Sequence, residues 1–273
     1  MTVEIGVFLV PDARDPERTV AQALAADEVG LDLVAIQDHP YQRRFIDTWA
    51  LLAYLAGRTE RVRLAPDVAN LPLRPPALTA KAAASVDLLS GGRFELGLGA
   101  GAFWEAIGAM GGPVLTGKES VDALEEAIQI IRKLWSAEGA VWFEGRHYRL
   151  DGHKPGPPPA HPIGIWLGAY RPRMLRMVGR LADGWLPSLG RMPADEIADR
   201  HRTIDEAAVA AGREPSDIRR LLNVGGGSAD ELAAIARNYR FETLIVSVDD
   251  EDPIGFVRRL GEQVAPKVRE ALT

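Results

Sequence analysis

The chain has 273 residues, 47% hydrophobic and 26% charged, enough for a full-sized core and close to the roughly 250 residues of an α/β barrel. Its formal net charge of -6 argues against an electrostatic nucleic-acid binder and against a polybasic membrane anchor, and points to small-molecule partners. The absence of cysteine removes disulfides, thiolate metal sites and cysteine nucleophiles.

Apolar runs and helical periodicity predict, in chain order, a strand over 4–10, a helix over 16–29, a strand over 33–37 and a helix over 46–56. A strand over 62–68, a helix over 75–89 and a strand over 94–99 follow. A long helix over 120–136 carries Val121, Leu124, Ala127, Ile128, Ile131 and Leu134 in a stripe wide enough to pack on a sheet. Residues 102–119 and 138–162 read as irregular insertions, and the second holds His147, His153 and His161. Beyond them, strands at 163–167, 184–187, 219–224 and 243–248 alternate with helices at 172–181, 194–211, 229–239 and 253–268.

Strands and helices alternating at this spacing require parallel pairing with helical crossovers. The expected fold is a TIM (β/α)8 barrel with insertions at its C-terminal mouth, in one domain spanning 1–273. An open doubly wound sheet is the structural alternative. The start lacks a basic region followed by a long apolar run, and no segment reaches the roughly 18 apolar residues of a spanning helix, so a cytoplasmic location is expected.

Several strand ends carry candidate chemistry. Asp38-His39 follow the second strand, where barrels place catalytic groups, and a histidine there can exchange a proton near neutral pH. The structural alternative is a turn capped by Asp38 and stopped by Pro40. After the third strand, Asn70 in Asn70-Leu71-Pro72-Leu73-Arg74 offers a donor and an acceptor to a ring edge, or the motif only stiffens the loop and starts the next helix. Gly97-Leu98-Gly99-Ala100-Gly101-Ala102 has the form of a dinucleotide fingerprint, but it follows the fourth strand and no clear helix comes after it. It reads instead as a close backbone approach to a ligand, or as a tight strand exit. Gly168-Ala169-Tyr170-Arg171-Pro172-Arg173 brings two arginines to a helix start, which suits an anion, or else forms an exposed basic helix end. The histidines and lysines outside these motifs form neither a metal constellation nor a Schiff-base site at a late strand end.

Taken in order, Asp38-His39, Asn70-Leu71-Pro72-Leu73-Arg74, Leu88-Leu89-Ser90-Gly91-Gly92-Arg93 and Gly97-Leu98-Gly99-Ala100-Gly101 resemble the bacterial luciferase-like monooxygenases and their reductase relatives. Gly179-Arg180-Leu181-Ala182-Asp183-Gly184-Trp185 looks like that family as well. The resemblance implies a dimeric (β/α) barrel binding FMN or the deazaflavin F420 at the strand ends. It implies the phosphate near Gly168, Ala169, Tyr170 and Arg171, the ring near Asp38, Val68, Asn70 and Gly99, and a non-prolyl cis peptide at about Asp67-Val68. His39 matches the histidine that works beside the ring. Two positions depart from the pattern: Pro40 follows His39 where luciferase-type members carry a second histidine, and Ala102 stands where some deazaflavin members carry a glutamate.

The function expected is an oxidoreductase moving hydride through F420 or FMN to or from a small organic substrate, with His39 as acid/base. With FMN, a partner flavin reductase or a nicotinamide entering the same pocket is expected; no nucleic-acid or membrane partner is. A non-catalytic flavin-binding barrel and a cofactor-free lyase or isomerase are the alternatives.

Overall fold

Short, largely buried strands of two to six residues, alternating with helices, build this chain as repeated strand-helix units. The computed structural model describes residues 3–249 and 251–273. The first half comprises β1 (Glu4–Leu9), α1 (Pro16–Glu28), β2 (Leu33–Ile36), α2 (Thr48–Ala56), β3 (Arg63–Pro66), β4 (Ala69–Asn70), α3 (Pro76–Ser90) and β5 (Leu96–Gly99). Two helices, α4 (Trp104–Ala109) and α5 (Gly117–Ser136), lead to a hairpin of β6 (Val141–Glu144) and β7 (Arg149–His153). The second half comprises β8 (Ile165–Leu167), α6 (Pro172–Leu181), β9 (Gly184–Trp185), α7 (Ile197–Ala210), β10 (Arg219–Val224), α8 (Ala229–Tyr239) and β11 (Thr243–Ser247). It ends in α9 (Pro253–Arg259) and α10 (Ala265–Leu272), joined by a π turn at Leu260–Val264.

The main sheet runs β3-β2-β1-β11-β10-β9-β8-β5-β4 with every neighbouring pair parallel. Its two ends meet at Leu64, whose N–H donates to the Arg93 carbonyl at 2.8 Å and whose carbonyl accepts from Glu95 at 2.9 Å. β3 and β4 are two halves of one stave broken at Asp67-Val68, so the sheet is a parallel (β/α)8 barrel. The Asp67-Val68 peptide is cis, as is Gly156-Pro157.

Alternation along each strand sorts the side chains into two cores. Outward residues such as Ile5, Val7 and Leu9 of β1 pack against helical residues such as Leu52, Leu55, Ile128 and Ile131. Full burial of one such aliphatic side chain stabilises by about 1.5–3 kcal/mol. Inside the barrel, Leu33, Ala35, Ala65, Trp166, Leu221 and Ile245 form a separate apolar plug. The indole of Trp166 fits because Gly184 faces it: a Cβ there would lie 2.5 Å from the Trp166 Cδ1. Gly97 likewise lets β5 close on β3, since a Cβ would lie 2.1 Å from the Pro66 carbonyl oxygen. Helix starts are fixed by Asp15, Asp47 and the reciprocal Thr116–Glu119 and Ser228–Glu231 boxes; Gly91, at φ 71°, ends α3.

Three features differ from the sequence expectation. Residues 138–162 are not irregular throughout, because β6 and β7 form an antiparallel hairpin. Its turn is held from α5, where the Glu126 carboxylate accepts from the N–H groups of Arg146, His147 and Tyr148 at 2.7, 2.9 and 3.0 Å. A short helix, α4, does follow the glycine-rich exit of β5, entered through Phe103 at φ 58°. The strand expected over 62–68 divides in two. Among the described residues no helix is long and apolar enough to cross a membrane.

Candidate active site

The C-terminal ends of the staves open into a cleft of about 380 Å³, within the usual size of a small-molecule pocket. Its walls come from Asp38, His39 and Tyr41 after β2, Asp67, Val68 and Asn70 around the stave break, and Gly99 to Phe103 after β5. Gly168, Tyr170 and Arg171 after β8, Leu186, Ser188 and Arg191 after β9, and Asn223 of β10 close the ring. A roomier groove of about 600 Å³ lies outside the barrel between α1 and α2, lined by Val20, Leu24, Ile46 and Tyr54. That groove is lined by Glu17 and Arg58 but by no histidine, and the mouth, with Asp38, His39 and Asp67, is the candidate site.

His39 sits where the β2 strand gives way to a turn. Its Nδ1 lies 3.2 Å from the Gln37 amide nitrogen; with Gln37 donating, the neutral ring carries its proton on Nε2. Among the described residues Nε2 has no hydrogen-bond partner. Tyr41 stacks on the ring with centroids 5.4 Å apart, and Phe103 meets it edge-on at 5.5 Å. Burial between these aromatics, and secondly the positive charge of Arg191, hold the imidazole below its ordinary value. His39 is thus a neutral base at physiological pH.

Asp38 is buried and accepts from the Asn70 N–H at 2.9 Å, tying the ends of two staves together. Burial raises its carboxyl above the ordinary range, against the Asn70 N–H and Arg74, which favour the charged form. The Asn70 side-chain oxygen accepts from the Leu73 N–H at 3.3 Å and caps the turn at Leu71–Leu73, so its acceptor serves the loop and its amide nitrogen remains. Val68 and Gly99 adjoin on the floor, where a Cβ at Gly99 would lie 2.7 Å from the Val68 Cγ2. Asp67 opens on the cleft beside them, and burial pushes its carboxyl up to about 7.

The turn after β8 divides by residue. Gly168, Tyr170 and Arg171 line the cleft, whereas Ala169 is buried in the outer core and its carbonyl accepts from the Trp185 indole at 2.9 Å. Ala169 thus lies outside the group of predicted cofactor residues that the fold brings together. The Tyr170 hydroxyl accepts from the Ser188 N–H at 2.9 Å, joining the β8 and β9 ends. Of the two arginines expected to serve an anion, Arg173 is engaged by Asp122 of α5. Among the described residues Arg171 is paired with no carboxylate, and neither is Arg191 across the cleft.

Gln37, Tyr41, Arg191 and Asn223 belong to the site and were not singled out by sequence. Gln37 adjoins the Asp38-His39 motif and Tyr41 lies two residues past it, so both could have been found from their nearness to that motif. Arg191 and Asn223 reach the mouth only through closure of the barrel. Phe103 forms an aromatic wall of the cleft.

A closed parallel barrel with a histidine-bearing, partly apolar cleft at its strand ends is the architecture of a cofactor-dependent barrel enzyme. The chain belongs to the luciferase-like monooxygenase family, whose model matches residues 2–269. It is 33% identical over 239 residues to an F420-dependent glucose-6-phosphate dehydrogenase of Intrasporangium calvum, covering 83% of this chain and 70% of that one. The fold is shared with an F420-dependent secondary alcohol dehydrogenase solved with an F420-acetone adduct, at a TM-score of 0.86 and 18% identity over 98% of this chain and 99% of that one. It is shared also with the oxygenating component of 3,6-diketocamphane monooxygenase from Pseudomonas putida, solved with FMN, at a TM-score of 0.76 and 19% identity, covering 98% and 99%.

Proposed function

We propose that this chain is an oxidoreductase using F420 as hydride carrier toward a small organic substrate, with His39 as the acid/base of the site. The observation that carries the reading is a neutral, unpartnered histidine edge in a cleft whose floor and walls hold sealed polar atoms without partners. Those atoms are the Tyr41 hydroxyl, the Asp67 Oδ2 and the Asn223 Oδ1. Buried polar groups are normally satisfied, so a cluster of exceptions at one strand-end cleft fits a ligand with polar edges. The glycine at 99, with no room for a Cβ, suits a flat ring lying close to the backbone.

When bound, the deazaflavin ring accepts or delivers the hydride. The protein's part is to bind, orient and exclude water. Val68 and Gly99 would hold the ring's plane, Asp38 and Asn70 fix the relative height of two strand ends, and Arg171 with the first N–H groups of α6 would hold a phosphate. His39 takes a proton from the substrate, or returns one, at Nε2 in the tautomer that carries the ring's own proton on Nδ1, where the Gln37 amide oxygen accepts it once that amide is turned over. Tyr41 and Phe103 shield that nitrogen's ring from bulk water.

FMN is the second reading, favoured by the fold shared with an FMN-bound monooxygenase. It would bring oxygen chemistry and require a flavin reductase or a nicotinamide entering the same cleft. The proposal extends to a cytoplasmic homodimer with one barrel domain per chain. Fluorescence-quenching titration of the purified protein against F420 and FMN separates the readings: tight binding of F420 alone is expected, tight binding of FMN alone moves the assignment to the second reading, and binding of neither overturns both.

A further inference from the structure

Asp67 stands at the break between β3 and β4, and Asn223 near the end of β10. These staves are four apart in a ring of eight, so the two side chains approach across the barrel axis. The Asn223 side chain lies near enough to the Asp67 carboxyl to favour its charged form. Yet the Asp67 Oδ2 and the Asn223 Oδ1 are both sealed from water and lack partners. While Asp67 is a carboxylate, these two oxygens are both acceptors and cannot pair with each other. A proton on Oδ2 supplies a donor, because a carboxylic acid and a primary amide can pair through two hydrogen bonds, O–H to amide oxygen and amide N–H to the other carboxyl oxygen.

We propose that Asp67 pairs with Asn223 as a carboxylic acid across the barrel axis, forming an uncharged floor for the bound cofactor. The clause about the cofactor rests on the function proposed above. The barrel interior below the pair is apolar, with Ala65, Trp166 and Leu221 in the plug and Phe8 packed against it. The titratable groups that line the cleft are Asp38, His39 and Tyr41 from the end of β2, Tyr170 and Arg171 from the end of β8, and Arg191 from the turn after β9. None of them sets the charge on Asp67; burial raises its carboxyl to about 7, and the Asn223 amide opposes that rise. Below that pH the floor is neutral. Above it, an uncompensated anion faces whatever lies in the cleft, and a ring gaining electrons is bound more weakly.

The pair is tested in two steps. In ligand-free protein labelled with 13C at aspartate carboxyls, the resonance missing from D67N is expected to titrate near pH 7; a midpoint in the ordinary carboxylate range overturns the proposal. Quenching titrations with F420 and with FMN from pH 5.5 to 8.5 then compare wild type with D67N. Wild-type affinity is expected to fall by up to about tenfold per pH unit above the midpoint relative to D67N, the limit for one linked proton. Parallel pH profiles in the two proteins overturn the cofactor clause. If D67N does not fold, D67S replaces it in both steps. Binding of neither cofactor overturns the function proposed above, and the carboxyl titration still decides whether Asp67 holds the proton.

Discussion

The two ends of the barrel use their polar residues in opposite ways. At the N-terminal end, Glu4 is engaged by Arg63 and Arg219 and accepts from Thr243 at 3.1 Å, while Glu95 accepts from the Gly164 N–H at 2.7 Å and faces Arg63. Arg93 makes five hydrogen bonds, to Ser90, Ala56, Val62 and twice to Thr59, which uses every N–H of a guanidinium. Fully buried Asp87 accepts from the N–H groups of Phe94, Ala160 and His161. At the C-terminal end, by contrast, Tyr41, Asp67 and Asn223 hold sealed atoms with no partner among the described residues, and Arg171 and Arg191 face the cleft with no carboxylate partner among those residues. Saturated hydrogen bonds fix the frame; of the sealed atoms without partners among the described residues, those of Trp49, His147 and Arg200 belong to residues that do not line the cleft, and those of Tyr41, Asp67 and Asn223 gather at it.

The contrast breaks most sharply at His39. H39A is expected to lower kcat at least about 100-fold, the low end of general acid/base contributions. Cofactor affinity, read by quenching, should stay within about threefold. Loss of both in proportion would make His39 a binding residue instead. At the other end, R93A leaves the carbonyls of Ala56, Thr59 and Val62 without their donor and is expected to cost about 2–4 kcal/mol in denaturant unfolding. Turnover per folded molecule should be unchanged. A fall in kcat without a fall in stability would show that the frame and the site are not separate.

That separation was only half legible in the sequence. The motif 88–101 reads as one unit, yet its first part, with Gly91 and Arg93, lies at the frame end and its second part, with Gly97 and Gly99, runs to the mouth. Strand periodicity places β1, β2, β5 and β11 because each centres on an uninterrupted apolar run, and β10 through Leu221, Leu222 and Val224 despite its two arginines and Asn223. The β6–β7 hairpin escaped because its stabilising partner, Glu126, sits on a helix some twenty residues earlier in the chain. Local composition there mixes glycine, proline, charged residues and histidine with only short apolar stretches, and Trp142 is exposed. Asn223 looked like an ordinary strand residue; only closure of the ring sets it opposite Asp67. Arg191 follows no motif, since a turn at Leu189–Arg191 with no apolar pattern carries it to the cleft.

Asp67 links the two ends through stability. Its carboxyl is raised to about 7 in the folded protein against 3.8 in the unfolded chain, so the folded state holds the extra proton between those values. That contribution is fully present below pH 3.8 and is lost as pH rises toward 7. D67N removes the loss. Its stability relative to wild type is expected to rise between pH 4 and pH 7, by up to about 4 kcal/mol, and to level off above. Urea unfolding at closely spaced pH values reads this directly, and a constant difference across the range would show that Asp67 is already ionised at pH 4.

The smallest expected effect concerns Arg191. Its charge is the lesser of two causes that hold His39 below its ordinary value, burial being the greater. R191A should therefore raise the His39 value without restoring it to 6.5. If neutral His39 is the active form, the acid limb of the kcat/KM profile moves to higher pH, while R191K, which keeps the charge, leaves it in place. A limb that moves equally in both variants would mean that Arg191 acts by shape. No movement in either would separate the limb from His39, and the acid/base would have to be sought among the remaining groups of the mouth.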